Sequence, residues 1–309
     1  MQKRVLCVGA AVLDTIFRVD KLPRGEGKIL PTQMLQVAEG MASSAAFAVV
    51  RLGGAATLWA AAGNDQTGSK ILSDLARDGI DVSEVTIVDG APSALSTILV
   101  DAAGDRLIVP FYDPRLHENP PPVTEDSIRR FQAVMVDVRW PVVAFDVLTV
   151  ARRLGIPAIL DGDVAPAETL SRLGDAADYI IFSEPAARSL CDQPKPGDLV
   201  RTLAARFQHA LVCVTFGAQG AYWVDRRDGN LYHQPSLPVA SVDSLAAGDA
   251  FHGAFALGLA EALDVKDAVR LGSVAAALKC MVFGGRIGMP SRPASEEALG
   301  RLPAYILHS

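Results

Sequence analysis

Apolar and polar positions along this chain fall into two patterns. In the first, short continuous apolar runs alternate with helix-like stretches. Residues 4–9 form such a run, ending at Gly9, and residues 57–62 form another, as strands buried on both faces do. Between them residues 42–53 are Ala-rich and stop at Leu52-Gly53-Gly54, which predicts a helix closed by glycine. Residues 67–78 set Ile71, Leu72 and Leu75 on one helical face before Gly79. Strand-like runs recur at 133–138, 157–161, 178–182 and 211–215, with helical stretches at 141–154, 185–191 and 198–207. Strand alternating with helix predicts an α/β fold with a mostly parallel sheet covered on both faces.

The second pattern is period-two alternation, found in residues 14–37 and 94–112. Thr15-Ile16-Phe17-Arg18-Val19 and Ser96-Thr97-Ile98-Leu99-Val100 carry it. These segments predict a small sheet inserted twice into a single domain spanning 1–309. Lying over the strand ends, it would make a lid. Its open edges predict pairing across a homodimer. Pro120-Pro121-Pro122 marks 117–124 as a loop.

Half of the 309 residues are hydrophobic, enough to bury a full core. Mean hydropathy is +0.25, supplied largely by Ala and Val, which suits buried strands packed on small-residue helices. The 29 basic and 35 acidic residues leave a net charge of −6 with no basic run, so no nucleic-acid partner is expected. No membrane partner is expected either, because charges interrupt every long apolar stretch; Asp146 and Arg152 break the one after Pro141. The N-terminal apolar run is too short for a signal peptide. Cys7, Cys191, Cys213 and Cys280 share no metal or CxxC spacing, which predicts free thiols and a cytoplasmic location.

Ligands of open α/β sheets bind beyond the carboxyl ends of the strands, which directs attention to the loops after Gly9, Val138, Asp161, Ser183 and Thr215. The sharpest local feature lies further on, at Val242–Gly253. A loop of small residues opens a helix whose Phe251, Phe255 and Leu259 form an apolar stripe. The first turn of such a helix presents unpaired N–H groups and the positive end of its dipole. Small side chains at Ala246, Ala247 and Gly248 let a phosphate approach that backbone, with the Asp249 carboxylate beside it. Donors for phosphate charge next to a carboxylate base are what phosphoryl transfer to a hydroxyl requires. The alternative is that Asp249 merely caps its helix. The segment lacks the Gly-Lys-Ser/Thr of a Walker A loop, and no GxGxxG follows the first strand, which argues against a dinucleotide oxidoreductase.

Other polar residues carry two readings each. Arg139 follows a strand end and suits an anionic oxygen group, or it is an exposed charge above Trp140. Asp14 is a substrate contact or a turn carboxylate, and Lys28 alone is a solvated charge. Glu184 read alone is an N-terminal helix charge before Pro185. His252 reads as a core or interface histidine, and Asp161 with Asp163 as loop-capping acids or water-mediated metal contacts.

At Asp243-Ser244-Leu245-Ala246-Ala247-Gly248-Asp249 the sequence resembles the ribokinase-like (PfkB) carbohydrate kinases, whose signature is Asp-Thr-x-Gly-Ala-Gly-Asp at a helix start. The likeness runs along nearly the whole chain. It includes Gly9 with Asp14, Glu39-Gly40-Met41-Ala42-Ser43-Ser44 through Gly53, Gly63-Asn64-Asp65 with Gly68, and Thr215-Phe216-Gly217-Ala218-Gln219-Gly220. Glu39 and Ser44 depart from the family's Gly-Gly pair and asparagine, and Ser183-Glu184-Pro185-Ala186 stands in place of Asn-x-x-Glu.

The resemblance implies a ribokinase-like three-layer α/β/α sandwich with a β-sheet lid. It implies an ATP-dependent sugar kinase acting on a hydroxyl of a ketose-like or furanose sugar. Asp249 would be the base, and the amides of 246–249 the anion cradle. Asp14, Gly40 and Ser44 would hold the sugar. Thr215, Gly217, Gly220 and Lys279 would hold the nucleotide, with Lys279 either near the adenine or on the surface. Mg2+ would associate with Glu184, and K+ with Asp243 and the 282–288 loop. Within the family, Asp137-Val138-Arg139-Trp140, Leu160–Asp163, Phe182–Pro185, Ala277–Cys280 and Gly284–Gly288 are similar to the sulfofructose kinases. There Lys28 and Arg139 would grip a sulfonate, while Pro110 replaces an asparagine donor. Fructokinase, ketohexokinase, ribokinase or nucleoside kinase activity stays open, as does a catalytically silent sugar- or nucleotide-binding regulator.

Overall fold

A computed structural model describes residues 2–308. Its strands are β1 (Arg4–Val8), β2 (Val12–Arg18), β3 (Gln33–Glu39), β4 (Ala55–Trp59), β5 (Ala61–Gly63), β6 (Thr86–Val88), β7 (Leu95–Val100), β8 (Arg106–Phe111), β9 (Ala133–Val136), β10 (Ala158–Gly162), β11 (Tyr179–Ser183), β12 (Leu211–Thr215), β13 (Ala221–Val224), β14 (Leu231–Gln234) and β15 (Ile306–His308). Its helices are α1 (Met41–Arg51), α2 (Gln66–Arg77), α3 (Glu125–Ile128), α4 (Pro141–Arg153), α5 (Ala167–Ala176), α6 (Glu184–Leu190), α7 (Pro196–Arg206), α8 (Ala247–Ala260), α9 (Val265–Lys279) and α10 (Arg292–Leu299).

The main sheet runs β15-β14-β13-β12-β11-β10-β9-β1-β4. From β4 to β12 neighbouring strands are parallel; β13, β14 and β15 add an antiparallel edge. Alternation sends the two faces of β1 into separate cores. Val5 and Cys7 pack with α1, α8 and α9, while Leu6 and Val8 pack with α4, α5 and α7. The result is a three-layer α/β/α sandwich of the ribokinase fold with an additional small sheet.

The predicted apolar runs become β1, β4 and β9–β12, within a residue or two except where 57–62 splits into β4 and β5. The antiparallel edge and helices α5, α9 and α10 were not foreseen. Helix α8 differs in kind from its predicted single stripe: beyond its first turn it is buried on nearly every side, with Leu259 half-buried. Gly253 allows this, since a Cβ there would stand 2.3 Å from the Ala45 carbonyl oxygen of α1.

The second sheet, β3-β2-β7-β8, is built from the two alternating segments. Register fixes its two faces. Asp14 pairs with Ser96, and Ser96 with Pro110, so these share the inner face. Thr97 with Val109 and Leu95 with Phe111 share the outer one. Among the described residues, no helix is long and apolar enough to cross a membrane.

Candidate active site

The inner face of the small sheet, the carboxyl ends of β10–β12 and the tip of α8 enclose a cleft of about 650 Å³. An apolar cavity of about 500 Å³ adjoins it, walled by Leu237, Val239, Phe251, Ala277 and the turn after β12. Both are lined by Thr215, Gly217, Ser244, Ala247 and Gly248. The two spaces therefore meet at the tip of α8.

That tip carries free donors. Ala246 precedes the helix with left-handed backbone, φ 61°, and no side chain caps it. Ala247 N donates to the Ser244 carbonyl at 3.2 Å, but the N–H groups of Ala246, Gly248 and Asp249 have no partner among the described residues. With the dipole behind them they form an anion cradle. Asp249 does not cap its helix: no hydrogen bond from a described residue reaches its carboxylate. It lines the cleft instead. Burial pushes its carboxyl well above the usual range, helped by the charges of Glu39, Asp163 and Asp137, with Arg106 opposing them. A carboxylate raised in this way suits proton abstraction near neutral pH.

Asp14 is on β2, not at the mouth of the first strand. It lines the cleft and accepts a 2.5 Å hydrogen bond from the Ser96 hydroxyl. Burial raises its carboxyl to about 6, against the effect of Ser96. Gly40, at φ 114°, starts α1 and also lines the cleft; a Cβ there would stand 2.5 Å from the Ala10 carbonyl oxygen.

Ser44 is placed differently from expectation. It is fully buried, and its hydroxyl donates to Glu39 Oε2 at 2.5 Å. The carboxylate of Glu39 fills the space, accepts Arg286 N at 2.7 Å on Oε1, and lines the cleft. Burial and the nearby Asp14 raise Glu39 to about 7, with Ser44 and Arg286 holding it lower than it would otherwise be. Ser44 thus supports Glu39, an acid contributed by β3, and does not itself line the cleft.

Arg139 lines the cleft, donating to the Val164 carbonyl at 3.1 Å and lying 3.5 Å from Asp163 Oδ2. Behind it, the fully buried Asp137 accepts from Ala10 N, Ala42 N and Arg139 N and ties the loops after β1 and β9 to the first turn of α1. Lys28 is exposed on the β2–β3 connection and is absent from the cleft lining. A second arginine takes part instead: Arg106 of β8 reaches across to Ser244 Oγ at 2.7 Å. Its only sequence signal is membership of the 94–112 segment.

Thr215, Gly217 and Gly220 line the apolar cavity. Gly220 adopts φ 94°, and a Cβ would approach the Gln234 carbonyl oxygen to 2.0 Å, so the turn requires glycine. Lys279 does not line it. This lysine is wholly buried with its ammonium on Asp243, which corrects its expected place near adenine or on the surface. Glu184 lines the cleft but pairs with Arg188 on its own helix at 2.7 Å. Asp161 Oδ2 is buried without a hydrogen bond, 3.3 Å from His252 Nδ1. His252 in turn contacts the Gly248 carbonyl at 2.7 Å, as a core histidine would. No cluster of three acidic, histidine or cysteine ligands occurs among the described residues.

A parallel α/β sheet, a covering sheet and an anion cradle holding a raised carboxylate define a phosphotransferase with an alcohol acceptor. The pfkB family carbohydrate kinase model matches residues 2–292, and the chain belongs to that family. It is 29% identical to a ribokinase of Bacillus subtilis over 301 residues, covering 96% of this chain and 99% of the relative. It is 28% identical to an ATP-dependent ribose-1-phosphate kinase of Halopiger xanaduensis, covering 95% and 96%. A crystal structure of a provisionally assigned ribokinase from Agrobacterium tumefaciens superposes with TM-score 0.95 at 58% identity, covering 97% and 98% of the two chains.

Proposed function

We propose that this sugar kinase transfers the γ-phosphoryl group of ATP to a hydroxyl of a furanose or ketose-like sugar carrying an anionic group. The observation that supports the transfer most directly is the meeting of two cavities at one helix tip beside Asp249. Adenine suits the apolar cavity, and the phosphates reach the cradle past Thr215, Gly217 and Gly220. The sugar lies against Asp14, Glu39 and Gly40. Asp249 takes the hydroxyl proton as the oxygen bonds to phosphorus and the bond to the ADP oxygen breaks. The amides of Ala246, Gly248 and Asp249 hold the transferred charge. Asp163 and Glu184, which line the cleft, would help hold Mg2+ on the nucleotide, where it would neutralise phosphate charge. Closing the small sheet excludes water as a competing acceptor.

Arg139 and Arg106 support the anionic acceptor, since arginine in a cleft matches phosphate or sulfonate oxygens bidentately. The relative named for ribose 1-phosphate points the same way, whereas Lys28 adds nothing from its exposed position. ATP consumption with neutral, phosphorylated and sulfonated ketoses and riboses tests the reading. An anionic sugar is expected to give the highest kcat/KM, and Arg139→Ala to raise its KM on the order of tenfold or more. Preference for neutral fructose or ribose overturns the anionic part, and no turnover with any sugar overturns the whole.

The outer face of the small sheet supports a homodimer. Leu95, Leu107, Val109, Phe111 and Met34 are 43–63% exposed on it, and β8 leaves an open edge. Light scattering is expected to give twice the chain mass, and Leu107→Lys with Val109→Lys to give monomer. A wild-type monomer would refute the pairing.

A further inference from the structure

A positive charge is sealed beneath the anion cradle. Lys279 ends α9 and is 0% exposed. Its Nζ donates to the Asp243 carbonyl oxygen at 2.8 Å and lies 3.2 Å from Asp243 Oδ2. The same carboxylate accepts Leu245 N at 2.8 Å, Gly284 N at 2.9 Å and Gly285 N at 3.1 Å. Val242 N and Asp243 N both donate to the Cys280 carbonyl. One ammonium thus sits where the strand of chain leading to the cradle, residues 243–246, crosses the 282–288 loop.

These are the oxygens a monovalent cation would need, and they are taken. A potassium ion bound by the Asp243 carboxylate and carbonyl would compete with Nζ for the same oxygens, and two like charges so placed repel strongly in a low-dielectric interior. Burial leaves the lysine below its ordinary value, although the Asp243 carboxylate opposes this. Burial alone would raise Asp243, but Lys279 and the three backbone donors bring it below its ordinary value. Each group thus favours the charged form of the other. The expected K+ site at Asp243 and 282–288 does not fit this chain.

We infer that the Lys279 ammonium is a built-in monovalent cation: it positions Asp243 and, through it, the amide-bearing loop before α8, so that the protein needs no potassium. Lys279 is a positioning residue, because it touches Asp243 and not the reacting atoms. Its effect on rate rests on the kinase reading above; its effect on the fold does not.

The test compares KCl, NaCl and tetramethylammonium chloride at equal ionic strength, reading Tm and kinase turnover. Wild type is expected to show the same Tm and rate in all three. Lys279→Ala is expected to lose several degrees of Tm, as removal of one member of a buried ion pair does, and on the order of 10- to 100-fold in kcat/KM. K+ or NH4+, but not tetramethylammonium, is expected to restore part of both. Potassium-specific gains in wild type overturn the inference. So does a Lys279→Ala variant with wild-type Tm and rate in tetramethylammonium, or one that no small cation rescues. If Lys279→Ala does not fold, the wild-type salt series still decides the matter. Absence of turnover in every salt strikes the kinase reading alone, because the Tm arm needs no substrate.

Discussion

Asp249→Asn lowers kcat by roughly 10³- to 10⁴-fold while ATP binding stays near wild type. Asparagine keeps the shape of the side chain but cannot take a proton. The carboxylate accepts no hydrogen bond from a described residue, so the substitution costs the fold no contact. Its charge also stands among Glu39, Asp163 and Asp137, which raise its pKa together with burial. Removing that charge relieves repulsion, so Tm rises as activity falls. This opposition separates a base from a helix cap. A capping aspartate would lose stability on the same change, by about 1 kcal/mol. Single-turnover phosphorylation, nucleotide titration and thermal unfolding of the one variant provide all three readings. Near-normal turnover would remove Asp249 from the mechanism. A lower Tm would restore the capping role.

Glu39→Gln stabilises the protein by on the order of 1–3 kcal/mol at pH 8, and this gain fades as pH falls. The sign follows from proton counts. Glu39 is raised from 4.5 to about 7 by burial and by Asp14. Between those values the native state binds the proton more tightly than the unfolded chain, so native stability falls as pH rises through the interval. Below pH 4.5 both states are protonated and the glutamate carries no penalty. Above pH 7 both are ionised and the penalty is complete. Glutamine retains the acceptor for Arg286 N and never ionises. Urea unfolding of both proteins at several pH values measures the difference. A gain that stays constant with pH, or grows toward acid, would contradict a buried, raised Glu39. The same substitution removes an anionic acceptor for sugar hydroxyls, so the sugar KM rises as stability improves, which is a trade common at functional sites.

The two results would bear on one arrangement. Asp14, Glu39 and Asp249 come from β2, β3 and α8, and all line the same cleft. Each is destabilised there in its charged form. Arg106 and Arg139 line the same space. An acceptor bringing its own negative group would pair with the arginines and leave the acids to its hydroxyls.

Much of this was legible along the chain because the signals are local. An apolar run of five or six residues needs only its own composition to read as a buried strand, and β1 and β9–β12 follow such runs closely. Period-two alternation at Ser96–Val100 already separated an inner from an outer face. The small residues before Asp249 marked the helix tip, since close approach of backbone to phosphate depends on the side chains at those positions alone. The turn at Gly220 came instead from the resemblance of Thr215–Gly220 to the family's nucleotide-site turn.

What the sequence could not decide is which buried polar group meets which. Ser44 read as a sugar contact until Glu39, from the end of the neighbouring strand, was seen to occupy its hydroxyl. Arg106 meets Ser244 from 138 positions away, and Arg286 meets Glu39 from 247. Lys279 read as a nucleotide or surface residue because a lysine is costly to bury without a partner, and that partner, Asp243, lies 36 residues earlier. The resemblance made Lys28 a sulfonate contact, whereas its loop leaves it in solvent, as its residue type alone suggested. Local structure follows from neighbours in sequence, whereas the pairing of charges follows from distances that exist only once the sheets and helices have packed.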